Sequence, residues 1–264
     1  MRVFPSLKHS QVHAQPAYFI EPRLKLEAIA RRDRIRYYTC KVIKCKLWHL
    51  NLAKTSILDI YAVIFMDLSQ QNLEEALQLL GNLLATKKNE SFWLVVCGGS
   101  ALLAQKIISR STEDVDILAM RNLYGGVIRA YPMPEALKLA AAEVADELSL
   151  RGNWLNSAAS FHFPDLHLLP NSFWQELENR DYGHDLKVSF VSRSGQIQLK
   201  LYAALNRAEP RDFADLRALA PDAAETESSL RWIISSFPVL IHLNRLPELL
   251  TYLGHAELIT KFER

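Results

Sequence analysis

The chain has 264 residues, 49% hydrophobic and 23% charged, with a formal net charge of +2. This balance excludes a disordered polymer and a staple-dependent mini-protein, and the length leaves room for one large domain with appendages. Three cysteines, Cys40, Cys45 and Cys97, are too few for a disulfide framework, which points to a reducing cytoplasm.

The start, MRVFPSLKHSQVHAQPAYF, lacks the continuous apolar stretch of a secretory signal. The best membrane candidate, SILDIYAVIFM, is too short to span a bilayer and carries Asp59, so no membrane partner is expected. Charge is unevenly spread. Residues 1–65 hold 12 Lys and Arg against 4 Asp and Glu, a formal +8, and the rest hold 19 against 25, a formal −6. Within 1–65, RLKLEAIARRDRIRYYTCKVIKCKLWHL has no sustained period. It reads as a basic extension that packs loosely, or as residues ahead of a true start at Met66, with a nucleic-acid-binding arm as the functional alternative. Cys40, Cys45 and His49 could be metal ligands, but a structural zinc site needs four.

From Met66 the pattern clears. In MDLSQQNLEEALQLLGNLLA, Asn72 and Glu75 have capping-box spacing, and Leu73, Ala76, Leu77, Leu80 and Leu84 share one helical face. SFWLVVC reads as a buried strand, closed by Gly98 and Gly99. A helix over SALLAQKIIS and a second strand over DVDIL follow. Pro134 suits the first turn of a helix lined by Leu137, Ala141, Val144 and Leu148. FHFPDLHLLP, with His162 and His167, reads as loop, and HDLKVSFVS as a strand. GQIQLKLYAALNR and RDFADLRALA read as helices with Pro210 as the break, and closing helices run from Asp222. The expected fold class is α/β of the α+β kind: a mixed β-sheet flanked by helices over 66–192, then a helical region over 193–264.

The chemistry gathers between Leu94 and Leu118. Alternation along a strand puts Asp114 and Asp116 on one side, with Val115 and Ile117 facing the core. Two close carboxylates repel unless a cation lies between them, and Mg2+ suits hard oxygen ligands while keeping positions open for phosphates. Gly98 and Gly99 let the backbone approach an anion, and Ser100 stands where the next helix should begin. A phosphate cradle beside a metal seat fits a metal-bound nucleoside triphosphate.

The segment GGSALLAQKIISRSTEDVDIL resembles the signature of polymerase-β-like nucleotidyltransferases, and its form is most similar to the bacterial AbiE-type toxin branch. A later block, LKLYAALNRAEPRDFADLRAL, resembles that branch's second motif. The resemblance covers patches from about Met66 to Ala220 and none of residues 1–65. It implies a nucleotidyltransferase-like fold that transfers a nucleotide from an NTP to an acceptor hydroxyl. In that scheme Asp114 and Asp116 hold Mg2+, Gly98, Gly99 and Ser100 grip the triphosphate, and Arg110 and Thr112 assist beside the carboxylates. Lys200 meets the phosphates, and Asp215 activates the attacking hydroxyl or positions the site, with Asp212 three residues before it. The resemblance further implies a toxin acting on tRNA, with a cognate antitoxin as partner. A small-molecule acceptor and a non-catalytic binding module are the alternatives. Many enzymes of the superfamily carry a third carboxylate on a neighbouring strand. The strand LKVSFVS has none, and Asp185 and Asp165 lack a supporting motif.

Overall fold

The computed structural model describes residues 65–87, 90–122, 124–207, 209–238 and 243–262. Residues 1–64, with the basic segment and the Cys40, Cys45 and His49 trio, lie outside them. Among the described residues no helix is long and apolar enough to cross a membrane.

The first helix, α1 (Gln70–Thr86), starts one turn earlier than its sequence suggests: Ser69 is the N-cap and its hydroxyl accepts from the Asn72 amide. A serine cap is worth about 1 kcal/mol, and the Asn72–Glu75 pair falls inside the helix. All five apolar positions of the expected face are fully buried. Strand β1 (Phe92–Cys97) leads directly into the short helix α2 (Gly98–Ala104), whose first turn contains both glycines. Strand β2 (Val115–Arg121) returns antiparallel to β1. The two-residue β3 (Val127–Ile128) lies on its far edge. Helix α3 (Glu135–Leu148) follows, with Pro134 as its N-cap residue.

Between α3 and the next strand pair lie β4 (Leu155–Asn156), α4 (Ala158–His162), a 3-10 turn at Leu166–Leu168 and α5 (Asn171–Gln175), so the stretch expected as loop, 161–170, holds the end of α4 and the 3-10 turn. Strand β5 (Glu178–Asp181) pairs antiparallel with β6 (Leu186–Phe190). Helices α6 (Arg193–Asn206), α7 (Pro210–Leu219), α8 (Ala223–Ser236), α9 (Leu246–Leu253) and α10 (Ile259–Phe262) close the chain. Pro210 is the first residue of α7 rather than a bare spacer, the position where its missing N–H costs nothing.

The strands form one mixed sheet in the order β3-β2-β1-β6-β5, with β4 also on β2. β1 and β6 are parallel, as are β2 and β4. The fold is therefore α+β, as the sequence implies. Leu94, Val96, Ile117 and Val188 face α1 and α3 in one core, while Val95, Cys97, Leu118 and Val191 face α6 to α9 in the other. Burial on both faces explains why the β1 sequence is a continuous apolar run.

Candidate active site

The site forms where β1 ends. A register shift between Val95 and Val96 bulges β2, so that Cys97 comes opposite Asp116. Cross-strand partners share a face, so Asp116 lies on the α6 side of the sheet with Cys97. Gly98 has φ +71°, a left-handed conformation that glycine accepts without strain. A Cβ placed on it would lie 3.2 Å from Asp116 Oδ2, and one on Gly99 would lie 2.9 Å from Thr112 Oγ1 and 3.8 Å from an Arg110 guanidinium nitrogen. The glycine turn and Asp116 thus occupy one place, and a side chain at either glycine would require Asp116 or Thr112 to shift.

Asp114 and Asp116 have no ion-pair partner within 4.0 Å among the described residues. Burial raises the Asp116 carboxyl to about 6, and the Asp114 charge adds to the rise; Asn156, Lys200 and Arg207 oppose it. Burial also raises Asp114, with Glu113 adding to the effect and Asn156, Arg211 and Arg151 opposing it. Asn156 belongs to β4 directly beside Asp116, and its side-chain amide donates to Asp114 Oδ2 at 3.1 Å. A pair of oxygen donors with no direct ion-pair partner among the described residues, its repulsion only partly offset by more distant Lys and Arg charges, fits a hard divalent ion such as Mg2+. Among the described residues no group of three or more His, Cys, Asp or Glu side chains is arranged to hold a metal.

The strand expected to carry a third carboxylate, β6, flanks β1 on the side away from β2. β4 is the strand bordering Asp116, and it presents Asn156. Asp185 lies at the opposite end of β1 from the glycines, bonded to Ser91 and His184. Asp165 caps the 3-10 turn through the His167 amide. Neither completes the site.

Lys200 and Asp215 behave differently from their expected roles. Lys200 Nζ donates to Asp212 Oδ1 at 2.9 Å and lies 2.8 Å from Asp215 Oδ2, an ionic contact with poor hydrogen-bond alignment. All three side chains are buried. Burial alone would lower the Lys200 pKa, but the two aspartates outweigh it and raise it. Asp212 also accepts from Arg207 Nε at 2.8 Å, and Asp215 accepts from Arg110 at 2.5 Å. Asp212 and Asp215 are therefore buried rather than on a solvent-facing side of α7. They are the centre of a buried ion cluster whose outer arm, Arg110, overhangs Gly99 and remains about one-third exposed.

Ser100 is buried, and its hydroxyl donates to the Cys97 carbonyl at 3.3 Å. Thr112 is buried beside Gly99, and its backbone bridges to Leu68. Burial and the neighbouring Asp116 hold the Cys97 thiol far above its usual range, so it is inert. Two contributors escaped the sequence reading. Gln196 on α6 is fully buried, and its Oε1 accepts from the Gly98 amide at 3.3 Å. Asn156 sits on a two-residue strand. Neither belongs to a periodic pattern, so the sequence carried no signal for them. No protein-family model matches the chain, and neither the curated proteins nor the solved structures compared with it give a significant match.

Proposed function

We propose that the protein is a Mg2+-dependent nucleotidyltransferase that moves a nucleoside monophosphate from an NTP to an acceptor hydroxyl, with tRNA as the leading acceptor. The observation carrying this reading is the meeting of the Gly98 turn with Asp116, 3.2 Å from the position of a Gly98 Cβ, in a carboxylate pair with no ion-pair partner among the described residues. Asp114 and Asp116 would hold the ion, and Asn156 would fix the orientation of Asp114. When bound, Mg2+ offsets charge on the triphosphate and on the departing pyrophosphate. The Gly98 amide is engaged by Gln196, so within the turn Gly99 would be the glycine that meets phosphate oxygens, with Thr112 and Arg110 beside it. Arg110, braced by Asp215, supplies a guanidinium next to Gly99 and suits phosphate geometry. Lys200 acts one step back: it holds Asp212 and Asp215, and through Asp215 it holds Arg110. The toxin role, with a cognate antitoxin, rests on the resemblance of the Gly98–Leu118 segment and belongs to the same proposal.

The test is incubation with Mg2+, each labelled NTP in turn and total RNA. Labelled RNA is the expected result, and Asp114→Ala should reduce it by at least about 100-fold, the scale for loss of a metal-binding catalytic group. NTP binding without RNA labelling would move the assignment to a small-molecule acceptor. Absence of NTP binding would favour a non-catalytic module, a reading supported by the neutral Asn156 in the place where a third carboxylate would fit.

A further inference from the structure

An aromatic cluster lies open to solvent on the edge of β2. Tyr131 and Phe161 are 53% and 56% exposed, and their ring centroids are 4.7 Å apart. His162 stands edge-on to Phe161 at 5.0 Å. Exposing two large rings together is unfavourable unless something covers them.

Their location is fixed by the chain. Phe161 is on α4, which begins two residues after Asn156, and the Ala158 amide donates to Asn156 Oδ1 at 2.9 Å. The opposite wall comes from the segment after β3. Arg129 donates to the carbonyls of Ser160 and Phe163, and the Ala130 amide donates to Ser160 Oγ at 2.9 Å. Ala159 and Phe163, on either side of Phe161, pack in the same core as Cys97, on the face of the sheet where Asp116 lies. Asn156 bonds both Asp114 and the Ala158 amide, and so joins the helix that carries Phe161 to the carboxylate pair.

We infer that Tyr131 and Phe161 form the stacking platform for the nucleobase of the nucleotide whose phosphates lie at Asp114, Asp116 and the glycine turn. This rests on the nucleotidyltransferase reading and adds the part of the ligand that the carboxylates cannot recognise. Three observations select a base as occupant. The two rings are adjacent and inclined by 55°, so a single planar ligand would lie on the face of one with the other against its side. It is continuous with the site proposed for the phosphates. Both Arg129 terminal amino groups are bonded to main-chain carbonyls, so this guanidinium is taken up by the fold and the rings supply the exposed contact surface. Stacking of this kind tolerates different bases.

The experiment compares Mg2+-dependent binding of ATP, CTP and inorganic tripolyphosphate by calorimetry, using the full chain. Wild type should bind both nucleotides more tightly than tripolyphosphate. Phe161→Ala and Tyr131→Ala should each weaken ATP by about 5- to 100-fold, the range for loss of one base–aromatic stack, and leave tripolyphosphate unchanged. Tyr131→Phe and Phe161→Trp should keep ATP affinity, whereas Phe161→Leu, apolar but not aromatic, should lose it. Both residues are exposed, so these changes leave the core intact, and unchanged thermal melts confirm it. Equal binding of ATP and tripolyphosphate, or alanine variants that retain ATP affinity, would overturn the platform and leave the phosphate site standing. Failure of wild type to bind any of the three would overturn both. A wild-type dimer in sedimentation that Phe161→Ala dissociates would assign the rings to a second copy and also overturn the platform.

Discussion

Asp212 is fully buried, yet it accepts hydrogen bonds from Lys200 at 2.9 Å and Arg207 at 2.8 Å. Burial pushes its carboxyl up, but the Arg207 bond and the Lys200 charge outweigh it, and the folded pKa is depressed. A depressed carboxyl contributes stability above its unfolded pKa and loses it as pH falls through the folded value. Thermal melts from pH 7 downward should therefore show stability falling below the ordinary carboxylate range, with a shallower fall in Asp212→Asn. Lys200→Met should cost about 3–5 kcal/mol in chemical denaturation, since it leaves buried carboxylates without their shared cation. Asn156→Asp tests the other carboxylate group. A third acid beside Asp114 and Asp116 should lower the melting temperature of the metal-free protein and enlarge the rise produced by Mg2+, both read by thermal melts; an unchanged Mg2+ response would show that β4 does not face the ion. Asp114, Asp116, Gly98 and Gly99 were legible because they fall in one contiguous, periodic stretch. Lys200 and Asp215 were legible as a block, but not in their partners: a charge pattern does not reveal whether a helix face meets solvent or another helix.

Among the elements, α1 shows how a helix can depend on one small residue. Gly81 lies in its middle, and a Cβ there would collide with the Tyr182 carbonyl just after β5. Gly81→Ala would ordinarily stabilise a helix by about 1 kcal/mol. Here overpacking should reverse the sign and cost about 1–3 kcal/mol, visible as a lower melting temperature. Tyr182 also donates to Glu74 at 2.7 Å, so α1 and the β5–β6 turn are joined by packing and by a hydrogen bond. Long apolar runs and amphipathic helices were readable because both faces of the sheet are covered and the helices bury one stripe each. β5 was not readable. Its sequence, Glu178-Asn179-Arg180-Asp181, is polar throughout, as suits an edge strand that must resist pairing with other chains. β3 and β4 are two residues each, too short for any alternation to show.

At the scale of the molecule, the two cores lie on opposite faces of one sheet, and among the described residues they are built from Leu68 onward. A chain beginning at Met66 is expected to fold by itself, with a cooperative melt and undiminished helical circular dichroism. Loss of cooperativity would show that the preceding residues are required. The α+β class was evident from the order of apolar runs, but the joining of β1 to β6 was not: they are parallel neighbours separated by almost 90 positions in the sequence. The bulge between Val95 and Val96 was equally hidden. That single slipped residue makes alignment and chemistry inseparable here. Were the two central strands to pair without it, Ile117 rather than Asp116 would face Cys97, and a hydrocarbon branch would take the seat of an anionic oxygen. A one-residue slip of β2 against β1 beyond Ala119, with no residue lost, would therefore part the Asp116 carboxylate from the glycine turn while leaving the sheet, the helices and both carboxylates in the chain.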